Sequence, residues 1–379
     1  MLTPRENLLK VFKHEKPGWI PLTTHMDGFN QPNREGMDPS LCEAIGTVSF
    51  GDGSELTMAR AMGLDVMNHV SPPINCIRRK VKVERAETGD GWVTVYKTPR
   101  GELSEACKYR EKDGIFYRTE HLVKGPEDLK AFYEIFDDEE YVLADGAVET
   151  MTKWRETVGE EGLLRAYLPA TPLGMMVREY TELDTLAYLW ADEYDDLKRL
   201  FAVMEEKYVN QFNLAASLGY DALYCTDDTS TTTISPAMFE DFCMGFTDRA
   251  AEAVHRHGAF YVHHSCGYVN KLLSIYRQTK MDAVDAVVPR ENDVPSYSKI
   301  RELLGPEITI ISGYSWPADE RVAFTAETCS KVSEDIGKTF EDIAPGHNII
   351  FSLYAYLFQN MDQYGFVAEE CKKRQRMYA

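Results

Sequence analysis

The side chains best suited to chemistry are concentrated in residues 261–267, which read YVHHSCG. His264 and Cys266 are two positions apart where an apolar run ends, and side chains two apart on a strand point to the same side. Imidazole nitrogen and thiolate sulfur are preferred zinc ligands, so the pair predicts a zinc site. Zinc there would hold a thiolate at neutral pH or activate a substrate as a Lewis acid. Spacing alone leaves a second interpretation open, a buried histidine beside an inert cysteine.

Carboxylates follow two other apolar runs. Asp227 and Asp228 follow the run DALYCT. Neighbouring strand residues point in opposite directions, so only one of the two is expected to face a pocket. Asp228 is the candidate, both as a metal ligand and as a catalytic group. Asp27 and Asn30 follow the run WIPLTT and are candidates for catalysis and substrate binding, although Asp-Gly is also a common turn pair.

The elements that must position these residues are short apolar strands separated by helices. Thr3 followed by Pro4 is typical of a helix start. Near-continuous apolar strands that alternate with helices predict a parallel sheet covered on both faces. Eight such runs are present, at residues 19–24, 64–70, 163–168, 221–226, 259–264, 281–288, 308–313 and 348–352. Eight units predict a (β/α)₈ barrel, and an open doubly wound sheet is disfavoured because no GxGxxG or GxxxxGK[ST] motif follows the first strand.

Residues 78–122 do not follow this alternation of apolar strands and helices. Alternating segments joined by Gly-Asp-Gly and Pro-Arg-Gly turns predict antiparallel hairpins. We therefore expect one barrel domain over residues 1–379 with a hairpin insertion at about 78–122.

Active sites of such barrels lie at the carboxyl ends of the strands. This rule adds further candidates for substrate binding beside Asn30. His263 ends the fifth strand, Tyr314 and Trp316 follow the seventh, and Tyr354 ends the eighth. Packing in a loop is the alternative interpretation for Tyr314 and Trp316.

Composition excludes several classes of function. The formal net charge is −20, which argues against nucleic acid and against docking on anionic lipid. The eight cysteines form no CxxC pair, the first residues contain no apolar signal core, and no run of about 18 apolar residues exists. A cytoplasmic protein with reduced thiols is expected.

Several motifs together resemble the uroporphyrinogen-decarboxylase-like superfamily. They are the opening TPRENLLKVFKHEKPGWIP, the helix SPAMFEDF, the strand end HHSCG, the turn ISGYSWP and the final segment IAPGHNIIFS. The opening is similar to that of corrinoid-dependent methyltransferases, of the methylcobamide:coenzyme M and O-demethylase types. In the coenzyme M enzymes a His-x-Cys at this strand end binds zinc with a distant cysteine after the last strand. His264 and Cys266 match the first part, whereas the last strand here ends in Tyr354 with no cysteine.

The resemblance to O-demethylases supplies a different set of ligands. Some of them use two glutamates and one histidine, and the same spacing counted back from His264 falls on Cys243 and Asp228. Asp228 is the natural third ligand at a strand end, whereas Cys243 lies in a predicted helix and is expected to pack there.

The resemblance implies a methyltransferase that moves a methyl group between a small methylated compound, a methoxylated aromatic first, and cobalamin. No DxHxxG corrinoid motif is present, so a separate corrinoid protein is the expected partner, and a homodimer is implied. A tetrapyrrole decarboxylase is the alternative, but its arginine-rich stretch is replaced here by residues 25–30 without arginine. An accessory protein that binds metal or corrinoid without catalysis is the third hypothesis.

Overall fold

The computed structural model describes residues 2–25, 53–111, 115–314, 316, 323–354 and 361–378. Eight parallel strands form one sheet in the order β1-β14-β13-β12-β11-β10-β9-β2. Their bounds are β1 Leu22–His25, β2 Val66–His69, β9 Gly162–Leu168, β10 Ala222–Cys225, β11 Phe260–His264, β12 Ala283–Asp285, β13 Thr309–Ser312 and β14 Ile349–Tyr354. All eight lie where the apolar runs predicted them, which confirms the (β/α)₈ barrel.

The two end strands of this sheet, β1 and β2, approach each other and nearly close the barrel. Leu22 and Asp65 form the link between them. The Asp65 amide donates to the Leu22 carbonyl at 2.7 Å, and the Leu22 amide donates to the Asp65 carboxylate at 2.9 Å. The Asp65 side chain therefore supplies one of the hydrogen bonds that a longer pairing of β1 with β2 would provide.

The first helix, Pro4–Phe12, closes the bottom of the barrel. Thr3 caps it through a capping box with Glu6, as the Thr-Pro start predicted. The Phe12 ring stacks on Phe260 of β11 with centroids 4.6 Å apart. The lumen is therefore a packed core below, and only its upper end is available for chemistry.

The chain forms two smaller sheets from the residues between β2 and β9 in the sequence. Antiparallel pairing joins β3 Ile74–Ile77 to β8 Glu140–Leu143. A four-stranded antiparallel sheet comprises β4 Lys82–Glu87, β5 Gly91–Thr98, β6 Gly101–Arg110 and β7 Ile115–Glu120. This second sheet is the hairpin insertion that the alternating pattern predicted.

Helices surround the barrel. After the first, the α-helices are Ser54–Met62, Leu129–Asp138, Ala147–Val158, Pro172–Met175, Leu183–Asp192, Tyr194–Ser217, Pro236–Phe242, Met244–His255, Asn270–Tyr276, Tyr297–Leu304, Ala326–Ile343 and Met361–Arg374. Short 3₁₀ turns span Pro126–Asp128 and Gly159–Glu161, and a π-helical turn spans Met176–Tyr180. Within the described residues, no helix is both long enough and apolar enough to cross a membrane.

Candidate metal centre

Three of the predicted ligands meet at the top of the barrel. One ligand atom each of Asp228, His264 and Cys266 lies within 4.8 Å of the other two. The Cys266 thiol donates to Asp228 Oδ1 at 3.3 Å, and His264 Nε2 lies 3.9 Å from the same oxygen. Asp228 follows β10, and the other two residues lie at and just beyond the end of the neighbouring β11. The arrangement offers nitrogen, sulfur and oxygen donors, a set that suits zinc.

This cluster is open to solvent on one side. The side chain of Asp228 is 55% exposed and that of His264 is 24% exposed, while Cys266 is partly buried. Catalytic zinc sites have three protein ligands and leave a fourth position for water or substrate, whereas structural sites are closed. The ligand number and exposure of the cluster therefore fit a catalytic metal better than a structural one.

A buried carboxylate that the sequence interpretation missed lies behind His264. Asp285, at the end of β12, is fully buried, and its Oδ2 lies 2.6 Å from His264 Nδ1. The Tyr354 hydroxyl donates to Asp285 Oδ1 at 3.2 Å. A carboxylate on one imidazole nitrogen fixes the tautomer and turns the other nitrogen toward a metal. Nε2 is thereby left to face Asp228 and Cys266.

The same contacts determine the charge of the site. Burial lowers the pKa of His264, but its hydrogen bonds to Asp285 and Cys266 outweigh burial and raise the pKa to about 10. Burial raises the pKa of Asp285, and the hydrogen bond and charge of His264 bring it below its usual value. Without metal, the two groups therefore form an imidazolium–carboxylate pair at neutral pH. A metal that binds Nε2 must displace a proton.

The lumen beside the cluster contains a second polar group that the sequence interpretation also missed. Arg165 of β9 forms a buried ion pair with Glu55, and its guanidinium lies over the rings of Tyr167 and Tyr224 at 4.8 and 5.1 Å. The Tyr167 hydroxyl lies 2.6 Å from His25 Nε2. Aromatic and charged groups thus form the wall of the barrel next to the candidate metal ligands.

Alternation along the strands separates residues that are adjacent in sequence. Asp227 is fully buried, whereas Asp228 is exposed, as period-two alternation predicted. His263 is also fully buried and lies against Phe239 and Tyr276 on the helix side of β11, away from His264.

The structure describes two more of the predicted substrate contacts, Trp316 and Tyr314. Trp316 is 2% exposed and packs against Phe324 and Phe366, with ring centroids 5.7 and 6.5 Å away. Tyr314 is half-buried against the same core. Asp27 and Asn30 lie outside the described residues.

Cys243 does not join the cluster of Asp228, His264 and Cys266. It is fully buried at the end of the helix Pro236–Phe242, where its sulfur lies 3.4 Å from the Thr171 hydroxyl. The O-demethylase spacing therefore places one residue, Asp228, beside His264, while Cys243 packs in the layer of helices as its sequence context predicted.

Fold and site together define a (β/α)₈-barrel protein with a candidate metal centre at the carboxyl ends of its strands. A family model described as uroporphyrinogen decarboxylase (URO-D) matches residues 109–305, just over half of the chain. The chain belongs to the uroporphyrinogen decarboxylase family, which confirms the resemblance noted in the sequence.

A solved structure shares the fold over the whole chain. A methyltransferase from Methanosarcina mazei is similar over 100% of both chains, with a TM-score of 0.63 and 14% identity. PbGH5A, a glycoside hydrolase family 5 enzyme from Prevotella bryantii B14, is more distant, with a TM-score of 0.39 and 9% identity over 62% of this chain and 77% of its own. At this identity the methyltransferase shows a shared fold. A search of curated proteins finds no match.

Proposed function

We propose that this chain is a zinc-dependent methyltransferase that moves a methyl group between a small methylated substrate and a separate corrinoid protein. A methoxylated aromatic compound is the substrate class to test first. The observation that carries the proposal is the solvent-open cluster of Asp228, His264 and Cys266, with Asp285 behind its histidine. Membership in the family and the full-length likeness to a methyltransferase fold support it.

Bound zinc would supply Lewis acidity, which makes the demethylated heteroatom a better leaving group. Three residues of the chain arrange the metal ligands for this role. Asp285 Oδ2 lies 2.6 Å from His264 Nδ1 and accepts its proton in a hydrogen bond, so Nε2 offers its lone pair to the metal once its own proton has left. Tyr354 donates to Asp285 and fixes the carboxylate in turn. The exposed carboxylate of Asp228 completes the ligand set and faces the side from which a substrate arrives.

In the demethylating direction, the bond between the methyl carbon and its heteroatom breaks, and its electron pair stays on the heteroatom. The new bond would join that carbon to cobalt(I) of the partner's corrinoid, which would supply both electrons. A proton from water at the solvent-open site would pass to the departing heteroatom and complete the balance. We assign catalytic roles to Asp228 and Asp27, and substrate contacts to Asn30, Tyr314, Trp316 and Tyr354, as predictions from the sequence. His263, predicted as a further substrate contact, is buried on the helix side of β11 and is not assigned that role.

The corrinoid would approach the top of the barrel, because this is where the cluster is exposed. Residues 1–379 contain no DxHxxG motif, and a separate corrinoid protein is the partner that we propose. We infer that residues 1–379 act as one domain, and that the protein is a cytoplasmic homodimer, as the resemblance implies.

The alternative, decarboxylation of a tetrapyrrole, requires several guanidinium groups to bind the substrate carboxylates. In the described part of the lumen, Arg165 is already paired with Glu55. Its charge is therefore neutralised before any substrate arrives, which favours the methyltransferase.

Metal analysis of the purified protein is the first test, with His264→Ala and Cys266→Ser beside the wild type. Cys329→Ser is the matched control, because Cys329 is partly buried like Cys266. We expect both site variants to lose one zinc per chain and to remain folded. Asp228→Ala should bind zinc more weakly, since it lacks one ligand. Unchanged zinc in Cys266→Ser would overturn the assignment.

Turnover is tested next with a corrinoid protein reduced to cobalt(I) and a panel of methoxylated aromatics, methylamines, methanol and methylthiols. Methylation of cobalt by the wild type, and its loss in Cys266→Ser, is the expected result. Zinc binding without turnover on any substrate would support the accessory-protein hypothesis instead. Release of carbon dioxide from a porphyrinogen would support the decarboxylase.

A further inference from the structure

A second group of metal-binding side chains lies on the opposite side of the same two strands. Cys225 at the end of β10, Asp227 just beyond it and His263 of β11 each place one ligand atom within 4.8 Å of the other two. All three residues are fully buried between the barrel and its helices. Cys225 and His263 are paired in register on neighbouring strands, so the sheet itself brings them together.

Two of these residues have buried polar atoms without a hydrogen-bond partner among the described residues. His263 Nε2 lies 3.0 Å from the Thr229 hydroxyl, but its Nδ1 has no partner. Asp227 Oδ2 accepts a hydrogen bond from the Thr171 amide at 3.2 Å, but its Oδ1 has none. Buried polar atoms are normally satisfied, and each exception needs an explanation such as an ion or a water.

The neighbouring hydroxyl groups share this feature. Tyr261 Oη and Thr247 Oγ1 are buried and likewise form no hydrogen bond of normal geometry with the described residues. Tyr261 adjoins the cluster, because its side chain lies within reach of Cys225, and Thr247 lies within reach of Tyr261. The unsatisfied atoms are therefore grouped in one place, as expected around an ion and its remaining ligand.

We propose that Cys225, Asp227 and His263 bind a second zinc ion, with a buried water or hydroxyl as its fourth ligand. Because all three residues are fully buried, the site is closed to substrate and the ion is structural. Thiolate sulfur and imidazole nitrogen select zinc over magnesium and calcium, which prefer oxygen ligands. A thiolate and a carboxylate together carry two negative charges, so a divalent ion would neutralise them in a region where Asp227 forms no ion pair with the described residues. Burying a carboxylate without such compensation is strongly unfavourable.

The position of this site gives it a function. Asp227 and Asp228 are adjacent, as are His263 and His264, and alternation directs each pair to opposite faces of the strands. The second ion would thus fix the ends of β10 and β11 from the helix side, while the first cluster uses the same ends on the lumen side. The ion would thereby hold Asp228 and His264 in position. His263 would be a ligand of this ion and would not have the substrate-binding role that the sequence predicts.

The test counts zinc in three forms of the full chain after reconstitution and removal of loosely bound metal. We expect two zinc ions per chain in the wild type, one in the double variant His264→Ala/Cys266→Ser, and none when Cys225→Ala is added to it. Cys371→Ala, added to the same double variant, is the matched control, because Cys371 is also fully buried but lies in the last helix. That control should retain one zinc.

Cobalt(II) provides a measurement that does not depend on the fold of the Cys225 variant. The double variant lacks Cys266, so a thiolate-to-cobalt charge-transfer band in its spectrum indicates another cysteine ligand. A folded double variant with neither zinc nor this band would overturn the proposal, as would one zinc that persists after Cys225→Ala.

The two proposals fail in different ways. If the wild type and the double variant both hold one zinc, the second site stands and the catalytic site is refuted. If the wild type holds one zinc and the double variant none, the second site is refuted and the catalytic site stands.

Discussion

The contact between Asp285 and His264 makes the sharpest prediction about the site. Asp285→Asn preserves the shape of the side chain and removes its charge. The amide oxygen can still accept from His264 Nδ1, but it no longer balances the positive charge of a metal on Nε2. We therefore expect zinc to bind the first cluster more weakly while the fold is retained.

Two independent estimates give the magnitude. The bond is short, at 2.6 Å, its carboxylate is fully buried, and a hydrogen bond to a charged group contributes about 1.5–3 kcal/mol. Changing the partner of a metal-binding histidine typically costs about 10–100-fold in metal affinity. That range corresponds to about 1.4–2.7 kcal/mol, so the estimates agree.

Competition titration against a chromophoric zinc chelator measures this affinity directly. The matched control is Asp282→Asn, because Asp282 Oδ2 lies 2.7 Å from His255 Nε2 in a similar pair at the start of β12, away from the cluster. The control variant should bind zinc as the wild type does. Metal-free protein gives a second readout by NMR, in which the pKa of His264 should fall from about 10, since its hydrogen bond to Asp285 is the largest influence that raises it.

An Asp285→Asn variant that binds zinc within about twofold of the wild type would refute this reasoning. A variant with weaker zinc binding but an unchanged pKa of His264 would also refute it. The carboxylate would then affect the metal by packing rather than by charge.

Three further predictions concern stability. Arg165→Met removes the guanidinium that pairs with the buried Glu55 carboxylate and should lower the free energy of unfolding by about 3–5 kcal/mol in urea titrations. Adding Glu55→Gln should recover part of the loss, and an equal loss in the double variant would contradict the pairing. The hydrogen bond to Asp282 raises the pKa of His255, so the pair stabilises the protein fully below about pH 6.5 and less as the pH rises through the folded pKa. The stability difference between wild type and His255→Asn should therefore be largest at acidic pH, and a difference that grows with pH would be contrary to it. Ala286 has φ +67°, a left-handed conformation that costs about 1–2 kcal/mol for a residue with a side chain. Ala286→Gly should therefore raise the thermal midpoint of unfolding slightly, despite the added flexibility of glycine in the unfolded chain. A lower midpoint would argue against strain at this residue.

The sequence by itself determined the barrel fold and the end of the barrel at which the candidate site lies. Eight apolar runs between helices gave the strands of the barrel, because strands covered on both faces must be apolar throughout. The rule that barrel chemistry occurs at the carboxyl ends of strands then singled out Asp228, His264 and Cys266, which the structure places together. Alternation correctly separated Asp227 from Asp228.

Tertiary structure decided which other side chains reach this cluster. Asp285 and Arg165 each interrupt an apolar run, AVDAVV and LLRAYL, and a charge in a buried strand is a signal that the sequence does contain. Their partners could not be predicted, because Glu55 comes from a helix 110 positions away and Tyr354 from the last strand. Contacts between distant segments depend on strand order and register. These follow from closing the whole barrel, to which every strand contributes, rather than from any local pattern.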